Sequence, residues 1–159
     1  MATLDEVYRL VREMHKKLII AEPEHFSKRD LVDAFFGSLF LGITFTIKGL
    51  LIQVSKTLGL ANLISIVAFT LLILTAEIYF IGYSRVREKS RRRFGQFWLK
   101  RIVAFYFVAV FTATFLVFIF GLNNLPDVAN APFEITRLIV LISMPCAIGA
   151  AITDLLKKY

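Results

Sequence analysis

Residues 85–101 read RVREKSRRRFGQFWLKR, and this stretch decides the fold. Arg85, Arg87, Lys89, Arg91, Arg92, Arg93, Lys100 and Arg101 stand against one acid, Glu88, with a long apolar run on either side. Such a segment reads as a loop between two membrane helices. It is expected on the cytoplasmic side, because moving its charge across a bilayer is costly and the inside-negative potential opposes it. That assignment orients everything else.

Working outward, the chain of 159 residues is 57% apolar and carries 16 Phe. A soluble domain of this size cannot bury that much, since small domains are mostly surface. The net charge of +7 gathers at the ends of the apolar runs, the pattern of anchoring to anionic headgroups rather than of nucleic-acid binding. The fold class that follows is an all-α membrane protein with four transmembrane helices and an N-terminal amphipathic cytoplasmic helix. Residues 1–26 form that helix and residues 27–159 the transmembrane domain. The spans fall at about 31–54, 60–84, 102–121 and 135–155, with the basic loop at 85–101. An even number of spans puts both termini in the cytoplasm, and the basic tail Lys157-Lys158 agrees.

At the N-terminus, Thr3 and Glu6 have the spacing of a capping box, in which both side chains satisfy free N–H groups of a helix start. Leu4, Val7, Val11, Met14 and Leu18 then recur at spacings of three and four. So short an amphipathic helix needs a partner: copies of itself, the protein's own loops or the membrane surface. Pro23 ends it.

The first span is two-sided. Mapped at 100° per residue, Phe36, Leu39, Phe40, Ile43, Ile47, Leu50 and Leu51 share one arc. The other arc carries Asp33, Ala34, Gly37, Ser38, Gly42, Thr44, Thr46, Lys48, Gly49 and Gln53. Ala34, Ser38, Gly42 and Thr46 stand four apart, a ladder that lets helices approach closely. Two readings stay open, a packing seam inside the bundle and the wall of an aqueous path. On the second, Asp33, Ser38, Gly42, Thr44, Thr46, Lys48 and Gln53 line a pore. Lys48 is awkward there, because a ring of lysines repels cations.

Glu77 lies about 10 Å inside Arg85 on the second span, by helical rise, where a charge is expected to face protein or water. Its alternatives are a tie to Arg85 or Arg101, a bond to Tyr106, or a proton-exchanging role. The third span carries a stripe of Phe107, Phe111, Phe115 and Phe118, read as lipid-facing. In the fourth, Pro145 is expected to kink the helix. Ser143, Ala147, Ala150 and Asp154 make a second seam. Asp33, Glu77 and Asp154 all approach the cytoplasmic face, either as a cation-attracting ring or as three unrelated interfacial acids. Arg87, Arg91, Arg92, Arg93 and Trp98 are the candidate lipid-binding residues.

No motif of an enzyme, phosphate loop or metal site occurs. His15 and His25 lack ligand spacing, and Cys146, the only cysteine, reads as a packing residue. No enzymatic activity, cofactor or metal is expected. The leading expectation is a homo-oligomeric, cation-conducting channel of the inner or plasma membrane, lined by the first span. Its expected partners are inorganic ions, anionic lipid and further copies of itself. Alternatives are a non-conducting scaffold or regulator that binds lipid or a partner, and a proton-coupled small-solute carrier using Glu77.

The run DLVDAFFGSLFLGITFTIKG at 30–49, with Asp30, Asp33, Gly37, Gly42 and Thr46, opens a four-span chain with a basic central loop. In these features the chain resembles a prokaryotic integral-membrane family, domain of unknown function 2391. Lys48 departs from the acidic or neutral residue expected of relatives. The resemblance implies a membrane protein of prokaryotic source and brings no activity with it.

Overall fold

The structure, a computed structural model, describes Tyr8 and residues 28–82, 94–129 and 132–156. The proposed N-terminal helix, apart from Tyr8, and the segment holding Arg87, Arg91, Arg92 and Arg93 lie outside the described residues. Among those described there are only helices and turns.

The first helix, α1, is Lys28–Ile47. It stops where Gly49 takes a left-handed φ of 67° and its N–H returns to the Thr46 carbonyl at 3.3 Å. Glycine adopts that conformation without the steric cost of a Cβ. A short helix α2, Leu50–Thr57, follows. Leu58 turns its N–H back to Ser55 O, and α3 runs from Leu60 to Glu77. A π turn, Ile78–Gly82, continues it. Next come α4, Phe94–Ile119, a 3-10 turn, Leu122–Asn124, and the single turn α5, Pro126–Ala129. The last helix, α6, is Pro132–Leu156. Proline suits its first position, where the missing N–H has no partner to lose.

Two boundaries correct the sequence reading. The first span was expected to run unbroken over 31–54, because the apolar run continues through Leu50–Ile52. Gly49 instead divides it, and Lys48 sits at the turn. The third was expected to begin at 102 after a loop over 85–101. Its helix already starts at Phe94, since nothing between Phe94 and Arg101 breaks a helix except Gly95, which lies in open space.

The bundle is organised around α6. It packs most extensively on α1, then on α4 and α3, and also on α2, whereas α1 and α3 barely touch. The core is formed by Phe105, Ala109, Ala113, Leu116 and Val117 of α4 against Leu138, Ile142, Cys146, Ala147 and Ala150 of α6, closed by Leu74 of α3. Many of these side chains are small, which is how helices without a strong hydrophobic drive between them come into van der Waals contact. Phe36 and Phe40 of α1 and Phe107, Phe111, Phe115 and Phe118 of α4 point outward. That is the arrangement a hydrocarbon solvent favours.

Candidate functional site

The small-residue ladder of α1 is used within the protomer. Ala34, Ser38 and Thr46 are buried and face α6 together with Gly37 and Gly42. Ser38 Oγ donates to the Cys146 carbonyl at 2.9 Å. A Cβ on Gly42 would lie 2.6 Å from both Cys146 Sγ and Leu116 Cδ1, and one on Gly37 would run into the Gly149 main chain. Thr46 turns its hydroxyl to the Gly42 carbonyl of its own helix at 2.7 Å. Ser38, Gly42 and Thr46 therefore belong to a helix seam, which is the packing alternative of the two sequence readings.

The other residues expected along a pore are not beside them. Thr44 is exposed and bonds the Phe40 carbonyl at 2.9 Å. Lys48 and Gln53 are exposed as well, Lys48 at the turn after α1 and Gln53 on α2. The Lys48 ammonium lies 6.0 Å from the Phe45 ring centroid, so its stem runs past an exposed aromatic ring of α1. Asp33 is half-buried on α1.

Two of the three acids, Asp33 and Glu77, stand on helices that barely touch. Asp33 is on α1 and Glu77 on α3, with α6 between those helices. Asp154 is on α6, and its side chain lies outside the described residues. Among the described residues no three His, Cys, Asp or Glu side chains come together.

Glu77 stands apart chemically. It is the only charged residue between Leu60 and Gly82. Its Oε2 is buried and meets no hydrogen-bond donor among the described residues. Tyr106, an expected partner, bonds Ser143 of α6 instead. The helix changes from α to π immediately after Glu77, and the Ile78 N–H is shared between the Leu74 and Thr75 carbonyls. Single π turns inside α-helices occur frequently where function needs an irregular backbone. Two residues earlier, Thr75 Oγ1 accepts a 3.0 Å bond from the Trp98 indole N–H of α4. The expected lipid anchor Trp98 is thus also a tie between helices. Sequence reasoning overlooked Thr75. No local pattern signals it, since the tie depends on how α3 and α4 are set side by side.

At the opposite end of α6, Arg137 donates to Glu134, and its guanidinium carbon sits 4.5 Å from the Phe133 ring centroid. This local pair neutralises two charges near a helix start.

The profile of an integral membrane protein family, DUF2391, matches residues 11–156 of this chain. The chain belongs to that family. No curated protein and no solved structure gives a match. As a DUF2391 member it is an integral membrane protein, and the structure supplies four helices long and apolar enough to cross a bilayer: 28–47, 60–80, 98–119 and 133–153.

Proposed function

We propose that this DUF2391 protein is a proton-coupled transporter rather than an enzyme, with Glu77 as the group that takes up and releases the proton. The observation that supports this reading is the buried Oε2 of Glu77, which meets no hydrogen-bond donor among the described residues and stands immediately before a π turn. An ionisable side chain within a membrane helix is costly to keep, and such residues mark pathways for protons, ions or substrate. Function in the inner or plasma membrane, with both termini cytoplasmic and the basic segment against anionic headgroups, belongs to the same proposal.

A cation channel on an axis shared by several copies and lined by α1 has less support. Ser38, Gly42 and Thr46 are enclosed, which leaves Thr44, Lys48 and Gln53 among exposed Phe36, Phe40 and Phe45. Such a wall is mostly apolar and carries a lysine.

Liposomes holding a pH-sensitive dye separate these readings. Under an imposed potential, the wild-type protein is expected to acidify the lumen faster than protein-free liposomes, and Glu77→Gln to lose that flux at least ten-fold while Asp33→Asn retains it. Equal flux in wild type and Glu77→Gln overturns the assignment of Glu77. Cation flux lost in Asp33→Asn restores the channel, and no flux under any potential or pH gradient leaves the scaffold.

A further inference from the structure

α1 supplies 20 residues, about 30 Å at 1.5 Å per residue, which already matches the thickness of a hydrocarbon core. The next candidate span begins at Leu60. Both ends of α2 are therefore held at one boundary of the membrane, the one opposite the basic segment 85–101. Because α1 and α3 lie on different sides of α6 and α2 packs on α6, this eight-residue helix is the strap that carries the chain past α6 from one to the other.

The sides of the strap are sorted three ways. Ser55 is buried at 1% exposure, and Leu51 and Ile52 pack on the core. Leu50 and Val54 are exposed and apolar, at 63% and 37%, and continue the exposed side of Ile47. Gln53, Lys56 and Thr57 are exposed and polar. Taken round a helix of 3.6 residues per turn, these sets occupy separate arcs. A loop in water has no use for the apolar arc, and a membrane-crossing segment has none for the polar one. A helix lying in the interfacial plane against a bundle needs all three.

We infer that α2 lies in the headgroup layer opposite the basic segment, and that Lys48 and Lys56, at its two ends, hold the phosphates of anionic phospholipids. Lys48 runs its stem past Phe45, with the ammonium 6.0 Å from the ring centroid, the posture of a lysine reaching from the acyl boundary to the headgroups. Lys56 is exposed in the last turn of α2, where a cation also complements the helix dipole. The lysine that was awkward in a pore is well placed in this layer. The inference does not depend on Glu77 carrying protons.

The test uses the full chain in vesicles of mixed phosphatidylglycerol and phosphatidylcholine. With Cys146→Ala as background, which keeps the main-chain carbonyl that Ser38 bonds, a fluorophore is attached through Val54→Cys or Gln53→Cys. The label at Val54 is expected to be quenched by bromine placed high on the acyl chains, and the label at Gln53 by aqueous iodide. Equal iodide quenching at both positions overturns the proposal by making α2 a solvent loop. Quenching of both by bromine near the bilayer centre overturns it by making α2 part of a span. For the lipid itself, Lys48→Gln with Lys56→Gln is expected to weaken retention of phosphatidylglycerol roughly ten-fold or more in native mass spectrometry, with phosphatidylcholine unaffected. Unchanged phosphatidylglycerol retention, or displacement of the lipid by millimolar inorganic phosphate, removes the lipid assignment.

Discussion

Ser38 Oγ reaches the carbonyl of Cys146 at 2.9 Å, a bond between residues 108 positions apart that ties the first helix to the last. Both residues have zero exposure. Hydrogen bonds between helices in the membrane contribute modestly, because the unfolded helices in lipid also find partners. Ser38→Ala is accordingly expected to lower stability by about 1 kcal/mol, read from the denaturant midpoint in mixed micelles. Thr44→Ala, which removes an exposed hydroxyl bonded only to its own helix, should leave that midpoint unchanged. Equal loss in both variants would mean that the α1–α6 seam is not where the stability resides.

The glycines of the same seam make a sharper case. A methyl at position 42 would meet Cys146 Sγ and Leu116 Cδ1, both side-chain atoms, at 2.6 Å. Overpacking of this kind typically costs about 1–3 kcal/mol, and that is the expected loss for Gly42→Ala. At position 37 the obstacle includes the Gly149 main chain, which cannot rotate away, so Gly37→Ala should lose more. Gly95→Ala puts its methyl into open space within a helix and is expected to be neutral or slightly stabilising, as alanine is the better helix former. The order 37, then 42, then 95 is the checkable result, by thermal unfolding in one detergent.

What could be read in the sequence, and what could not, follows from the range of each signal. Four spans, the family and the Ala34-Ser38-Gly42-Thr46 ladder are local patterns, and the structure carries all of them. The partner of that ladder was open, since small residues line helix seams and aqueous walls alike. Only the placement of Cys146, Gly149 and Leu116 opposite it decides for the seam. Similarly, α6 has only 16 uncharged residues between Arg137 and Asp154, yet it is the helix on which the others pack, because its Ser143, Ala147 and Ala150 leave room for close neighbours on several sides. Pro145 stands inside this helix, which runs as one element from Pro132 to Leu156. The break at Gly49 was within reach of sequence. A glycine after a lysine is a stop signal, and it was overridden by the apolar residues that follow.

That break supplies a third prediction. At Gly49 φ is 67°, and at Gly59 it is −82° with nothing within 4 Å of an added Cβ. An L-residue in the left-handed region carries roughly 1–2 kcal/mol of strain, whereas Gly59 already has a conformation any residue accepts. Gly49→Ala should therefore destabilise the protein by about 1 kcal/mol, and Gly59→Ala should not. The same pair tests the strap, since strain at Gly49 acts on the turn that lays α2 down. Quenching of a label at Val54 by acyl-chain bromine should weaken in Gly49→Ala and hold in Gly59→Ala.

The indole of Trp98 offers a readout beside Glu77. It is the only tryptophan of the chain, and its N–H donates to Thr75 Oγ1 at 3.0 Å while the Thr75 hydroxyl donates to the Leu71 carbonyl at 2.7 Å. This relay fixes α4 against the last turn of α3, just before the π turn. Thr75→Val keeps the shape and removes the acceptor, so the tryptophan emission should move to shorter wavelength. Stability should fall by about 1 kcal/mol, as for other buried hydrogen bonds. Trp98→Phe removes the donor and should cost a similar amount, and the double variant should cost less than the sum of the two, because only one interaction is lost. Proton flux adds a further distinction. If the relay positions the helix end that carries Glu77, Thr75→Val lowers flux without abolishing it and Thr75→Ser, which restores the acceptor, recovers it. If flux stays at the wild-type rate while the emission shifts, the tie between Trp98 and Thr75 holds the helices together and plays no part in moving the proton.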